Sequence, residues 1–183
     1  MKRFMWLILL FVTACAPFNR IEGGPQSGLR SFSVELPQLW RELDNPKYLI
    51  LTKDGPFSQY ILVQQRPMAQ PFKNTKRKLN KGMLPQEAAE VILDEIVSDH
   101  ALLNFRLIEN HPAIVNQYEG FRLVFSHNTA GGSSFKTIYY GLLRGGWFYS
   151  IRYCASEGNY SDRDVKTFEK VLHSFYITDA ESA

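Results

Sequence analysis

The chain has 183 residues, a formal net charge of +3, and 45% hydrophobic, 14% aromatic and 21% charged residues. That balance excludes a generally disordered chain, and the length suits one domain with a complete core. Two cysteines exclude a disulfide scaffold, and no apolar run reaches the roughly 18 residues that a membrane-spanning helix needs.

Lys2 and Arg3 open the chain, an unbroken apolar run of nine residues follows from Phe4 to Val12, and Thr13-Ala14-Cys15 comes next. A positive start, a short apolar run and small residues are the three parts of an export signal. The stretch Val12-Thr13-Ala14-Cys15 resembles the lipobox of bacterial lipoproteins, in which the cysteine is lipidated and the peptide bond before it is cut. The resemblance implies a signal peptide over 1–14 and a lipid anchor on Cys15 that binds a membrane. Several acyl chains hold a protein far more firmly than one. Ala16, not aspartate, follows the cysteine. In lipoproteins of this kind an aspartate there marks inner-membrane retention. The expected location is therefore the bacterial cell envelope, at the outer membrane facing the periplasm.

Removal of Lys2 and Arg3 takes the basic residues from 21 to 19, against 18 acids. The basicity of the chain is thus mostly in its first residues, and no nucleic-acid partner is expected. Cys154 lies in Tyr149-Ser150-Ile151-Arg152-Tyr153-Cys154, a strand pattern, and reads as a small buried hydrophobe.

Residues 15–28 combine the expected lipidated Cys15 with a spacer rich in glycine and proline, which reads as a flexible tether. The domain is expected over 29–178, with 179–183 as a C-terminal tail. Phe32, Val34 and Leu36 alternate with Ser33 and Glu35, a half-buried strand that Pro37 ends. Tyr48–Thr52 and Gln59–Gln65 read as a hairpin across Lys53-Asp54-Gly55-Pro56. A helix is expected from Pro85 to Asp99 or His100, with Ala88, Ala89, Ile92, Leu93 and Ile96 as its apolar stripe. Short strands at Phe105–Leu107 and Ile114–Val115 are expected on either side of a turn at His111-Pro112. A further turn at Glu119-Gly120 leads to Phe121–Phe125. Phe135–Leu143 and Trp147–Cys154 form a hairpin around Arg144-Gly145-Gly146. A last helix opens at Ser161, with Asp164 in the capping-box position, and Phe175–Ile177 closes as a short strand. About seven strands and two separate helices point to an α+β fold, an antiparallel sheet covered by helices.

Phe32-Ser33-Val34-Glu35-Leu36-Pro37 followed by Trp40 resembles the opening strand and tryptophan of PsbP-like domains. The mid-chain helix, the strand-Gly-strand element at Asn116–Phe125, the aromatic hairpin and the closing Phe168-x-x-x-Leu172-x-Ser174-Phe175 follow in the same order. Similar domains occur in photosynthetic extrinsic proteins, in a Ran-binding nuclear transport factor and in bacterial lipoproteins of the DcrB type. The resemblance implies a PsbP-like α/β/α sandwich that serves as a binding or accessory module. It carries over no catalytic residue, and a shared fold does not transfer a role.

The residues themselves offer little chemistry. His100, His111, His127 and His173 show no metal-binding spacing, and no metal site or cofactor is expected. Ser133 or Ser134 could meet His127, but Gly131-Gly132-Ser133-Ser134 lacks the nucleophile-elbow pattern. His173 reads as a packing or capping residue. Tyr139, Tyr140, Trp147, Phe148, Tyr149 and Tyr153 need both sheet faces covered if they are all to be core. The most uneven feature is charge. From Gly55 to Gln86 there is no acid, and five acids without a base follow from Glu87 to Asp99. Lys73, Lys76, Arg77, Lys78 and Lys81 either neutralise that acidic helix or face an anionic surface. The expected function is non-enzymatic: a membrane-anchored accessory module that contacts an envelope protein partner. Two alternatives remain, a carrier or sensor of a small apolar or lipidic ligand, and an envelope hydrolase.

Overall fold

Period-2 alternation of apolar side chains dominates the sequence beyond residue 30, and strands dominate the structure there. The computed structural model describes residues 20–22, 31–45, 47–158 and 161–178. The elements are β1 (Arg20–Glu22), β2 (Phe32–Glu35), β3 (Arg41–Leu43), β4 (Leu49–Thr52), β5 (Gln59–Pro67), α1 (Pro85–Val97), β6 (Leu103–Val115), β7 (Tyr118–Asn128), β8 (Ser134–Arg144), β9 (Trp147–Ser156), α2 (Val165–Ser174) and β10 (Tyr176–Ile177). Seven strands form one antiparallel sheet in the order β3-β4-β5-β9-β8-β7-β6. A small sheet, β1-β2-β10, is antiparallel as well.

Side-chain alternation divides the long sheet between two cores. Ile61, Val63, Ile151 and Tyr153 point to one face and meet Phe32, Trp40, Phe168, Leu172 and Phe175 there. That layer is α2 with the small sheet. Phe121, Leu123, Phe125, Tyr139 and Phe148 point to the opposite face and meet Ala88, Ala89, Val91 and Ile92 of α1. Both faces are covered, so the fold is of the α+β class with an antiparallel sheet under helices, as the strand and helix pattern predicts, and it is the α/β/α sandwich that the PsbP-like resemblance implies. The aromatic hairpin β8–β9 splits its rings accordingly, and Trp147 at its turn remains 37% exposed.

Local chemistry explains the turns. Gly145 and Gly146 both have positive φ, +59° and +87°, which the tight β8–β9 hairpin requires. Pro85 opens α1, and the Glu87 carboxylate accepts the Leu84 N–H at 2.8 Å. The α1 helix ends at Val97, two or three residues before the expected end at Asp99 or His100.

Four expectations change. His111-Pro112 is no turn: β6 runs unbroken through it. β6 is an edge strand, where a missing N–H costs nothing. Glu119-Gly120 is no turn either. The reversal falls at Asn116-Gln117, with Asn116 at φ +53°, and Gly120 lies inside β7. The last helix opens at Val165, not Ser161, and Asp164 makes no capping bond. Within the expected spacer, Arg20–Glu22 pairs with β2 along Arg20↔Glu35, Ile21↔Val34 and Glu22↔Ser33. The rest of that spacer, the expected signal peptide, Cys15 and the tail 179–183 lie outside the described residues.

Candidate functional site

The segment between β5 and α1 carries the charge asymmetry, and the fold holds it in one shape. Met68, Phe72 and Leu79 are buried under it in the α1-side core. The Met68 N–H donates to the Gly146 carbonyl at 3.0 Å, which ties the segment to the β8–β9 turn. The Leu79 N–H returns to the Met68 carbonyl at 3.1 Å, and the Phe72 N–H to the Arg77 carbonyl at 2.8 Å. Arg66 lies 3.9 Å over the Phe72 ring and donates to the carbonyls of Gln70 and Pro71 at 2.8 and 3.1 Å. A cation over an aromatic face and two charge-assisted hydrogen bonds fix this corner.

Glu95 of α1 supplies the second clamp. Its carboxylate accepts the backbone N–H groups of Asn74 and Thr75, both at 2.9 Å, and the Thr75 hydroxyl at 3.0 Å. Burial works against the charge, but the bonds from Thr75 and Asn74 outweigh it and hold the carboxyl below the ordinary glutamate range. Arg77 pairs with Asp94, one residue earlier on the same helix.

The sequence-predicted basic residues therefore separate into two kinds. Arg77 neutralises the acidic helix. Lys73, Lys76, Lys78 and Lys81 are exposed and form no ion pair among the described residues. Lys76 donates to the Lys73 carbonyl at 2.7 Å. Together they make a basic ledge on a backbone that Glu95 and Arg66 pin. At its end a groove opens between Leu84, Pro85, Pro112 and Ile114, where Leu84 and Ile114 are 63% and 61% exposed.

Other polar groups are committed to structure. The Gln59 amide, fully buried, donates to Asp54 and to Asp164, each at 3.0 Å, and accepts the Tyr153 hydroxyl at 2.9 Å. Lys53 and Arg163 also reach Asp164, at 3.3 and 3.0 Å. Burial again opposes the Asp164 charge, and these donors overcome it, so its carboxyl lies below the usual aspartate range. Burial pushes the Cys154 thiol up, against reactivity. Ser134 donates to Asn128 at 2.8 Å, and the Ser133 carbonyl closes the loop onto Thr129. His127 stacks on Phe135 at 5.9 Å, and its Nδ1 is buried without a partner. Serine and histidine are not brought together. The His173 Nδ1 lies 2.6 Å from the Glu169 carbonyl in the last turn of α2. No cluster of three potential metal ligands occurs among the described residues.

Sequence reasoning missed Glu95, because only the fold brings it to Asn74 and Thr75, about twenty positions back in the chain.

No protein-family model matches the chain, and no curated protein matches it by sequence. Solved structures do match in shape. Cyanobacterial PsbP (CyanoP) from Synechocystis sp. PCC 6803 superposes with a TM-score of 0.61 at 10% identity, covering 91% of this chain and 95% of that one. The Ran-binding protein Mog1p of Saccharomyces cerevisiae gives 0.56 at 7% identity, over 89% and 96% of the two chains. LpqN of Mycobacterium tuberculosis, described as involved in cell envelope biogenesis, gives 0.52 at 13% identity, over 91% and 88%. This chain also covers 47% of a longer protein from Bacteroides thetaiotaomicron, at a TM-score of 0.51 and 8% identity. At these identities the likeness is one of fold. The fold is PsbP-like and shared with Mog1p, as the opening strand and closing helix imply.

Proposed function

We propose that this protein is a bacterial envelope lipoprotein, anchored through lipid on Cys15, whose PsbP-like domain is a non-catalytic binding module. The basic ledge carries the reading. Lys73, Lys76, Lys78 and Lys81 project from a segment pinned by Glu95 and Arg66, so they meet a surface without first having to order a loop. Each basic side chain near an anionic leaflet contributes about 1 kcal/mol. Leu84 and Ile114, exposed in one groove that follows the ledge, add apolar surface. An anchored domain with such a ledge holds one face to the headgroups and presents its remaining surface to an envelope protein partner. The envelope role of LpqN and the binding role named for Mog1p accord with this reading.

Two measurements test it. Metabolic labelling with a clickable fatty acid should mark the wild-type protein and leave Cys15→Ser unmarked. An unmarked wild type would end the anchor reading. With Cys15→Ser as background, changing Lys76, Arg77 and Lys78 together to Gln should weaken binding to anionic vesicles. Unchanged binding would end the orienting role of the ledge.

A further inference from the structure

The turns Asn116-Gln117 and Gly145-Gly146 close two hairpins at one end of the long sheet. Register brings those ends together, since Gly120 of β7 pairs with Leu142 of β8. A pocket of about 290 Å³ opens there to solvent. Gln117, Tyr118, Arg144, Tyr176 and Ile177 line it. Side-chain alternation puts Arg144 on the face of Leu142, which belongs to the α2-side core. The basic ledge covers the α1-side core instead.

The pocket walls are fixed by contacts of their own. The Asn116 side-chain amide donates to the Phe175 carbonyl at 3.0 Å, which ties the β6–β7 turn to the residue before β10. The Tyr118 ring packs edge-on against Phe175, with centroids 6.2 Å apart. Its phenol oxygen accepts the Ile177 N–H at 3.2 Å and the Gln117 side-chain amide at 3.3 Å. Both acceptor positions are thus used, and the phenol proton has no acceptor among the described residues. Arg144 is exposed and forms no hydrogen bond or ion pair among the described residues. No acid among the described residues lines the pocket. An arginine fork, a phenol proton and an amide with a hydrogen to spare therefore border one open polar space.

We propose that this pocket binds a phosphate group, with Arg144 as its charged anchor and Tyr118 and Gln117 as hydrogen-bond donors. A guanidinium matches phosphate oxygens two at a time. Donors on a second wall favour a tetrahedral group over a flat carboxylate, which offers two oxygens only. The walls are already held, so binding has little to order. A lipid headgroup diester and a free phosphate compound present the same chemistry to these donors. The site depends neither on lipid at Cys15 nor on the basic ledge.

The test is heteronuclear NMR of the isotope-labelled full-length protein in neutral maltoside micelles. Glycerophosphoglycerol, a headgroup diester without its acyl chains, and inorganic phosphate are titrated separately. At least one of them should shift the amides of Gln117, Tyr118 and Arg144 saturably, and glycerol should not. Arg144→Gln should weaken binding at least about tenfold, the loss of one charge-assisted contact, while Arg144→Lys keeps part of it. Arg144 is exposed, so neither change opens the core. Changing Lys76, Arg77 and Lys78 together to Gln should leave the shifts unchanged, which separates this site from the ledge. Tighter binding of the diester assigns the pocket to a lipid headgroup. Equal or tighter binding of inorganic phosphate assigns it to a free phosphate compound. No saturable shift with either probe, shifts confined to the ledge, or undiminished binding to a folded Arg144→Gln would overturn the proposal.

Discussion

Gly141 of β8 lies beneath the Phe121 ring of β7, its register partner, so closely that a Cβ placed on Gly141 would come 2.3 Å from the ring carbon Cζ. The same Cβ would meet the Phe148 ring at 2.9 Å. Phe121 stacks on Tyr139 and on Phe148 with centroids 6.2 and 6.3 Å apart. The glycine is therefore a socket for an aromatic triplet at the centre of the α1-side core. Gly141→Ala should destabilise the protein by about 1–3 kcal/mol, since rings packed on all sides cannot yield without shifting a strand. Urea unfolding should show a lower midpoint with an unchanged slope. An unchanged midpoint would mean that the triplet relaxes freely.

The sequence showed the elements whose causes are local. The β8–β9 hairpin was legible because Gly145-Gly146 sits between two β-rich runs. Helix α1 was legible from Pro85 and its apolar stripe. What escaped depended on position in the sheet. Pro112 reads as a break in sequence, and only its place on an edge strand makes it harmless. Asp164 reads as a cap, and only the arrival of Gln59 from β5 explains why its carboxylate turns elsewhere. The site shows the same limit. The lysines were visible as a charge run, whereas the clamp on Glu95 is a contact between distant parts of the chain.

Asp164 joins the start of α2 to the β4–β5 hairpin through Gln59 and Lys53, and Arg163 bonds both Asp164 and Asp54 of that hairpin. Its carboxyl is depressed below the ordinary value of 3.8. A depressed acid stabilises the fold fully above its unfolded pKa, and that stability is lost as pH falls through the folded pKa. Wild-type protein should therefore lose stability on acidification below the ordinary aspartate range, and Asp164→Asn should lose less over the same interval. At neutral pH the Asn variant should be less stable by about 1–3 kcal/mol, because charge-assisted bonds become neutral ones. Thermal melts of both proteins across that interval check the sign. Parallel acid profiles would show that Asp164 is not a linked group.

Glu95 makes a local prediction instead of a global one. Removing its carboxylate in Glu95→Ala frees the Asn74 and Thr75 N–H groups, which lie on the surface of the fold. Global stability should fall by only about 0.5–1.5 kcal/mol, the net worth of such bonds. Amide hydrogen exchange at Asn74 and Thr75 should accelerate strongly, while the amides of β8 and β9 keep their protection. Protection that survives at Asn74 and Thr75 would show that Arg66 and the buried Phe72 pin the segment unaided.

The two kinds of basic residue on the ledge should behave differently at a membrane. Lys73, Lys78 and Lys81 make no ion pair among the described residues, whereas Arg77 is already matched by Asp94. Changing the three lysines to Gln should cost vesicle affinity by up to about 1 kcal/mol for each residue that reaches the surface. Changing Arg77 to Gln should cost less, because the loss of its charge also exposes Asp94, which the leaflet repels. Both effects should shrink as salt shortens the Debye length from about 10 Å at 0.1 M to about 3 Å at 1 M. Co-sedimentation of Cys15→Ser protein with anionic vesicles, at both salt levels, separates the contributions. If Arg77→Gln costs as much as the triple lysine change, the matching by Asp94 does not persist at the membrane, and the division of the ledge into paired and unpaired cations fails.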